Sequence, residues 1–284
     1  MTSHANKGAA VGIPPRLLKF PLPEHAHDHP FFNQNVLASS MLSVMSAIFP
    51  SGERFFMESV RHFRDQIEDP VLKAQISGFI GQEAIHGREH EHLNEWFVSR
   101  GYDIGLAEST IKKSLGLLNK LPPSQRLACT VMMEHFTAIL AEQWLTHDEF
   151  RDTSDPQALQ LWTWHALEEL EHKSVAFDVH RQVSQNPHFE KLLAAPLVFL
   201  TLTPGVTLSW LWVVYKQGHL LKWKENKRGF LALFGRKGFM TQCFKRIPEF
   251  FPRNHHPTDS DTRALEDLWR KRLFGEEGEL NHLY

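Results

Sequence analysis

The chain has 284 residues, of which 42% are hydrophobic and 23% charged, a composition that is typical of a folded globular protein and excludes wholesale disorder. A formal net charge of −2 offers no general attraction to nucleic acid, so we expect no nucleic-acid partner. The two cysteines, Cys129 and Cys243, exclude a cysteine-based zinc site and suit a reducing compartment. Residues 1–20 contain no continuous apolar segment typical of a signal peptide, so we expect a cytoplasmic protein.

Prolines interrupt any helix in residues 1–33, which we predict to be an irregular leader. From residue 34 onward, apolar residues recur at helical spacing, and no segment shows the alternation of a β-strand. The predicted helices cover about 35–49, 51–67, 71–100, 106–119, 122–150 and 156–184, bounded by proline, glycine or capping residues. The sequence therefore predicts an all-α protein built as a helical bundle.

A charge-free segment, residues 192–215, is followed by a basic one, 216–246, with nine Lys or Arg residues and a single acid. The first segment is long enough to span a bilayer, but Pro196 and Pro204 oppose one straight helix, so we predict a hairpin of two short helices. An apolar hairpin beside a basic segment suits an anionic membrane surface. Peripheral membrane association through 192–246 and a buried hairpin that closes the bundle both remain open.

The stretch "QEAIHGREHEH" contains a candidate metal-binding face. At about 100° per residue, Glu83, His86 and His90 fall on one side of a helix. Glu89 and His92 also form a Glu-x-x-His pair, but they lie on another side of the same helix. We therefore predict an inner face that carries ligands and an outer, solvated face that carries Glu89.

A second helix repeats this pattern in "WHALEELEHKSVAFDV", where His165, Glu169 and His172 share one face. Glu168 lies beside that face, either near the site or in solvent, and Glu171 is expected at the surface. The chain has five Glu-x-x-His pairs, namely Glu24/His27, Glu83/His86, Glu89/His92, Glu169/His172 and Glu279/His282. Only the second and fourth lie in long helices whose ligand face is otherwise apolar.

Two further glutamates, Glu53 and Glu134, lie in strongly apolar sequence, where an isolated carboxylate is costly unless it is neutralised or bound to a metal. In chain order the candidate ligands are Glu53, Glu83, His86, Glu134, Glu169 and His172, which gives Glu, Glu-x-x-His, Glu, Glu-x-x-His. This is the ligand order of carboxylate-bridged two-metal sites in helical bundles. A polar core layer in which His and Glu satisfy one another is the alternative. His90 and His165 are added either as ligands or as groups that orient a carboxylate.

The motifs "FPSGERFF", "FIGQEAIHGREH" and "WHALEELEHKSVAFDV" resemble the family of predicted metal-dependent hydrolases related to the ferritin-like superfamily. The resemblance covers about residues 35–250. It implies a ferritin-like bundle over 34–250 with additional C-terminal helices, followed by a tail over 251–284. It also implies metal dependence through the ligand set given above, with His90 and His165 as additions. Glu53 departs from the ferritin pattern, because it is expected near a helix start and not in mid-helix.

These residues predict a dinuclear site for two metal ions, with iron first and manganese or zinc as alternatives. Three functions remain open: a di-iron oxidase or oxygenase, a two-metal hydrolase, and a non-catalytic metal-binding protein. We place the oxidase first, acting on a small apolar substrate, and assign no catalytic residue. A homodimer also remains open. The predicted apolar pocket is lined by Phe55, Phe56, Met132, Met133, Phe136, Trp162 and Trp164.

Overall fold

A computed structural model describes residues 7–22, 30–151 and 155–284, and within these ranges the chain consists of α-helices and short 3-10 turns without a β-strand. The predicted all-α class is confirmed. The helices are α1 (Val36–Arg61), α2 (Pro70–Ser99), α3 (Gly105–Leu118), α4 (Pro123–Thr146), α5 (Pro156–His172), α6 (Val175–Val183), α7 (Pro187–Lys216), α8 (Trp223–Phe234), α9 (Phe239–Arg246) and α10 (Arg263–Phe274).

Helix α1 passes through Pro50, where two separate helices were expected. A proline inside a helix has no N–H for the carbonyl four residues earlier, which here belongs to Ser46. The Asn94 side chain on α2 donates to that carbonyl at 3.3 Å and supplies the missing donor. The helix therefore continues, and Glu53 lies in its middle and not at its start.

Capping side chains begin two of the site helices where the sequence predicts. The Asp69 carboxylate accepts from the N–H of Val71 at the start of α2, and the Asp155 carboxylate accepts from the N–H of Ala158 at the start of α5. The helix expected over 156–184 is interrupted after His172. Lys173, at the interruption, donates to the Ser260 carbonyl at 2.7 Å, so the C-terminal segment anchors this turn.

The four helices that carry the candidate ligands pack against one another. Helix α1 lies along α2, α4 lies along α5, and α2 also contacts α5. Helix α7 covers α3 and α4 from outside, and α8 rests on α1. The candidate ligands thus project into the space enclosed by α1, α2, α4 and α5.

The described part of the leader, residues 7–22, lies directly on α2. Two helix glycines make this approach possible: a Cβ on Gly78 would be 2.5 Å from the Ile13 carbonyl oxygen, and one on Gly81 would be 2.5 Å from Pro15 Cγ. Such distances exclude any side chain at either position without a shift of the leader. The segment therefore forms one wall of the bundle. It also carries the buried side chain of Arg16 into the bundle.

Helix α7 is a single helix, so the predicted hairpin at 192–215 is wrong. Contacts on both sides of its prolines support the single helix: Gln125 donates to the Glu190 carbonyl before Pro196, and Trp210 donates to the Leu37 carbonyl after Pro204. Among the described residues it is the helix long and apolar enough to cross a membrane, yet only 22% of its most apolar stretch is buried. Helix α7 therefore closes one side of the bundle with its inner face, while its outer face is exposed.

Candidate metal centre

All eight predicted ligand residues converge in the core, and each is at most 5% exposed. They are Glu53, Glu83, His86, His90, Glu134, His165, Glu169 and His172. The imidazole rings of His86 and His165 lie 4.1 Å apart, and those of His86 and His172 lie 6.0 Å apart, between their centroids. Two helix faces that are separated by about 80 residues in the sequence thus meet in one cluster, as the ligand order predicts.

Glu169 lies at the middle of the cluster. Its Oε1 is 2.9 Å from His165 Nε2, 3.6 Å from His172 Nε2 and 3.7 Å from His86 Nδ1. One carboxylate oxygen therefore stands within reach of three imidazole nitrogens that belong to two helices. This position suits a carboxylate shared between two neighbouring ions.

Four groups of three residues have ligand atoms within 4.8 Å of one another. They are Glu53/His90/His165, His86/His165/Glu169, Glu53/Glu83/His86 and Glu83/Glu169/His172. The groups overlap, because neighbouring groups share residues. His90 belongs to the group at one end of the cluster and His172 to the group at the other end, so the cluster has room for more than one ion. Glu134 belongs to none of the four, but its Oε2 is 3.6 Å from His172 Nε2.

The inner atoms of the cluster have no hydrogen-bond partner. This holds for both carboxylate oxygens of Glu53, Glu83 and Glu134, and for Glu169 Oε2. His86 Nδ1 and His172 Nε2 likewise form no hydrogen bond within the described residues, and His172 Nε2 lies 3.0 Å from Glu83 Oε1. So many buried polar atoms without hydrogen bonds destabilise a folded protein, and bound cations would satisfy them. The donor set of carboxylates and imidazoles therefore fits metal ions.

His172 is oriented by Gln82. The Gln82 amide nitrogen donates to Glu171 at 3.0 Å and to the Pro14 carbonyl at 3.3 Å, so its oxygen is the acceptor for His172 Nδ1 at 2.9 Å. His172 consequently carries a proton on Nδ1 and turns its Nε2 toward the carboxylates. Metal-binding histidines in proteins are commonly fixed in this way.

His86 is oriented by Glu168 in the same manner. Its Nε2 lies 2.9 Å from Glu168 Oε2, which leaves Nδ1 facing the cluster. Arg16 from the leader pairs with Glu168 at 2.7 Å and, through two 2.7 Å hydrogen bonds, with Glu171. The side chain of Glu171 is therefore fully buried, so its predicted place at the surface is wrong. Arg16 makes its burial possible by pairing with it.

A third relay fixes the other two histidines. His165 Nδ1 lies 2.7 Å from His90 Nε2, and His90 Nδ1 lies 2.9 Å from the Ser46 hydroxyl. Ser46 in turn donates to Asn94 Oδ1 at 2.7 Å. His165 thereby presents Nε2 to Glu169, while both nitrogens of His90 have partners within the protein. Of the two added histidines, His165 is the better placed as a ligand and His90 as its support.

Burial is the largest influence on ionisation in the cluster. It raises the pKa of the Glu53 and Glu134 carboxyl groups well above their usual value, and repulsion from Glu83 adds to the rise. For Glu169 and His172 burial also opposes the charged form, but their mutual attraction lowers the pKa of Glu169 and raises that of His172. Carboxylates that water cannot solvate and that repel one another are stabilised by cations.

The remaining Glu-x-x-His pairs lie apart from the cluster. Glu24/His27 is outside the described residues, and Glu279 forms an outer ion pair with Arg272. Glu89 is fully buried, contrary to the expected solvated face, because the leader covers it and Phe20 N–H reaches its carboxylate at 3.5 Å. It remains on the side of α2 away from the cluster.

The predicted pocket residues divide between two voids and the core. Phe56, Met132, Met133 and Phe136 line a cavity of about 360 Å³, and Trp162 lines a smaller void of about 40 Å³ next to His165 and Glu169. Phe55 and Trp164 line neither of these voids; Trp164 instead packs edge-on against His86 at 4.9 Å. The access side of the cluster is therefore apolar.

A family model described as predicted metal-dependent hydrolase matches residues 14–261. The chain belongs to this family. The match begins at Pro14, so the part of the leader that carries Arg16 is included, although the motifs alone indicated the family only from about residue 35. No curated protein and no solved structure matches the chain. Family membership adds metal dependence to the geometry and leaves the metal and substrate to be proposed.

Several residues that shape this family site carry no signal in the sequence. Arg16 lies in a proline-rich segment, and Ser46 lies in a row of small residues. Gln82 directly precedes a ligand, but glutamines on helices are common and usually solvated. Only Glu168 was marked as a neighbour of the ligand face, and its bond to His86 now assigns it to the site.

Proposed function

We propose that the cluster holds two divalent metal ions and that the protein hydrolyses an ester or amide bond of an apolar substrate. The observation that carries the proposal is the group of buried carboxylate and imidazole atoms without hydrogen-bond partners in a chain of this family. Two divalent cations would balance the four carboxylates of Glu53, Glu83, Glu134 and Glu169. The ligand order also supports a ferritin-like site.

Carboxylate and imidazole ligands suit iron, manganese and zinc, and we propose iron or manganese before zinc because oxygen donors are so numerous. Glu83 and Glu169 would both supply carboxylate oxygens to the ions. His86 and His172 would each bind through the nitrogen that the outer hydrogen bond leaves free. His165 would bind through Nε2 and lies 2.7 Å from His90, which supports it.

Bound metal ions supply a water of lowered pKa and polarise a carbonyl oxygen. The chain itself contributes orientation and exclusion of bulk water. Glu169 lines the small void, so its carboxylate faces the substrate side. Phe49 and Trp162, which pack against the imidazole ring of His90 at 4.8 and 5.1 Å, keep this side dry.

The family description supports hydrolysis, so we propose it before the oxidase that the sequence analysis put first. Oxidation with dioxygen is the second candidate, because the placement of one Glu on each of two helices and Glu-x-x-His on each of two others is shared with di-iron proteins. The apolar cavity suits both reactions. It argues against phosphate-bearing substrates, because no Arg or Lys lines it.

The experiment is anaerobic loading of the metal-free protein with Fe(II), Mn(II) or Zn(II), with metal content measured after desalting. Each loaded form is then given p-nitrophenyl esters and anilides, and separately air, while product and dioxygen uptake are followed. The proposal predicts two ions per chain, ester or amide cleavage by at least one loaded form, and no burst of dioxygen uptake.

Glu169→Gln serves as the variant within the site, and Glu279→Gln is the matched control in a Glu-x-x-His pair outside it. Loss of cleavage in the first variant alone would support the proposal. Stoichiometric dioxygen uptake with no ester or amide cleavage would overturn hydrolysis in favour of oxidation. Absence of bound metal would overturn both reactions.

A further inference from the structure

Helix α7 presents a continuous apolar ridge to its surroundings. Exposed side chains recur along one side at helical spacing, with Leu200 at 75%, Leu208 at 56% and Tyr215 at 56% exposed. Its other side is buried against the bundle through Trp210 and Val213. The helix is therefore apolar on both sides, although a soluble surface helix is polar on the outside.

This ridge has no charged residue from Leu192 to Tyr215. The 24 charge-free residues of the helix extend about 36 Å, so the ridge is much larger than the single apolar residues that a soluble surface normally tolerates. Apolar surface of this extent is typical of a contact with another protein or with lipid. The residues that follow the ridge decide between these two.

The turn after α7 and the first residue of α8 carry the most exposed apolar side chains of the described chain. Leu221 is 93% exposed and Trp223 is 79% exposed, and they alternate with Lys222 and Lys224. Tryptophan is favoured at the boundary between water and lipid, and lysines beside it meet anionic headgroups. Charge complementarity therefore favours an anionic bilayer over a protein partner, since residues 216–246 carry nine basic residues and one acid.

We propose that the protein docks on an anionic bilayer through the outer ridge of α7 and the 221–224 turn. We further propose that the cavity beneath α7 accepts the hydrocarbon chain of a substrate drawn from that bilayer. The second part rests on the function proposed above and names its substrate class: a lipid with a long apolar chain and a cleavable polar end.

The cavity of about 360 Å³ lies between α7 and the metal-binding helices. Its volume falls in the range of sites for small organic ligands. Phe199, Thr203 and Thr207 of α7 line it and are also exposed, as is Phe244 of α9, so they mark its opening. The opening therefore lies on the flank of the helix that would contact lipid.

The inner end of the cavity reaches the candidate metal centre. Phe49, Thr137 and Leu140 line both this cavity and the small void bounded by His165 and Glu169. The Phe49 ring is 5.1 Å from the His165 ring, so this side chain lies where the two spaces meet. A chain that enters from the bilayer would thus place its polar end next to Glu169.

Docking is tested by flotation of the full-length protein with vesicles of phosphatidylcholine alone and with added phosphatidylserine, at low and high salt. We expect binding to the anionic vesicles that weakens with salt. Leu200→Glu and Trp223→Glu should each reduce partitioning roughly tenfold or more, because a carboxylate is strongly disfavoured in the apolar region. Leu268→Glu on α10, where the side chain is 61% exposed, is the matched control and should bind as the wild type.

Metal content and circular dichroism establish that these surface variants are folded. A wild-type protein that remains unbound with anionic vesicles at low salt overturns docking. Equal loss in Leu268→Glu overturns the assigned surface. A dimer in light scattering that Leu200→Glu dissociates, without vesicle binding, would assign the ridge to a second copy of the chain and also overturn the proposal.

Binding of a hydrocarbon chain is tested with cis-parinaric acid, a fluorescent long-chain probe. The assay measures binding alone and requires no catalytic activity. Gly52 lines the cavity, and a Cβ added there meets nothing nearer than Phe56 Cζ at 3.9 Å. Gly52→Leu should therefore fill the cavity without disturbing α1 and weaken probe binding at least tenfold. Gly52→Ala is the control and should bind the probe as the wild type does.

The experiments distinguish failure of the proposed hydrolase from failure of the proposed lipid substrate. Two ions per chain with cleavage of short esters, but no probe binding, overturns the lipid substrate and leaves the proposed hydrolase in place. Probe and vesicle binding in a protein that takes up no metal overturns the hydrolase and leaves the lipid site. Probe binding that Gly52→Leu does not weaken overturns the assignment of this cavity.

Discussion

The metal centre and the outer ridge of α7 both reverse the usual placement of residues, in opposite senses. The centre buries Glu83 and Glu169 among other ionisable groups, whereas the ridge exposes Leu200 and its apolar neighbours. In each region one side has its contacts within the protein, and the other side has none. His86 and His172 have outer partners but unpaired inner nitrogens, and α7 packs through Trp210 but not through its ridge.

Both regions require a partner that the chain does not itself supply. Burial of unpaired carboxylates is tolerable when a cation completes them, and exposure of an apolar ridge is tolerable when an apolar phase covers it. The outer hydrogen bonds of the centre fix ligand geometry in advance, so that little reorganisation accompanies binding. On α7, the packing of the inner face against the bundle likewise fixes the position of the ridge before it meets a partner.

Removal of a central carboxylate gives the largest expected effect. Glu83→Ala should reduce bound metal from about two ions per chain to one or none, because Glu83 belongs to two of the candidate ligand groups. Metal content after dialysis measures this. Glu279→Ala, in an exposed Glu-x-x-His pair, should retain full metal, and equal loss in both variants would break the assignment of the centre.

Arg16→Ala should destabilise the protein by about 3–5 kcal/mol, because it leaves Glu168 buried without its cation and Glu171 with Arg270 alone. Urea unfolding followed by circular dichroism measures the free energy. The control is Arg263→Ala, whose pair with Asp261 is exposed, and it should leave the midpoint unchanged. An unchanged midpoint for Arg16→Ala would show that the leader does not support the centre.

Gln82→Leu should weaken metal binding by about 10–100-fold, because His172 loses the acceptor that holds its proton on Nδ1. Competition with a chromogenic chelator gives the affinity. Gln75→Leu, on the same helix and outside the cluster, provides the comparison and should bind metal normally. If both variants bind like the wild type, the outer hydrogen bonds do not prepare the site.

The smallest effect is expected on the ridge. Leu200→Gln should change the free energy of unfolding by no more than about 0.5 kcal/mol, because the side chain is 75% exposed in the protein. Leu161→Gln, at a fully buried position of α5, should cost several times as much, since it buries an amide without a partner. A large loss of stability in Leu200→Gln would show that protein, not lipid, covers the ridge.

The sequence by itself determined the all-α class and the grouping of the candidate ligands. Helical spacing relates residues on one face, so Glu83 with His86 and Glu169 with His172 follow from local geometry alone. Carboxylates in apolar sequence, such as Glu53, are conspicuous because a buried charge requires a partner. These are properties of single helices, and the sequence contains them directly.

Only the tertiary structure decided what each helix meets. Asn94 supplies the donor that lets α1 pass Pro50, and Arg16 from a distant leader buries Glu171, which spacing alone assigned to the surface. Contacts before Pro196 and after Pro204, made by Gln125 and Trp210, support α7 as one helix. Spacing tells which side of a helix a residue occupies, but whether that side faces water, a cation pair or a neighbouring carbonyl depends on packing between segments far apart in the chain.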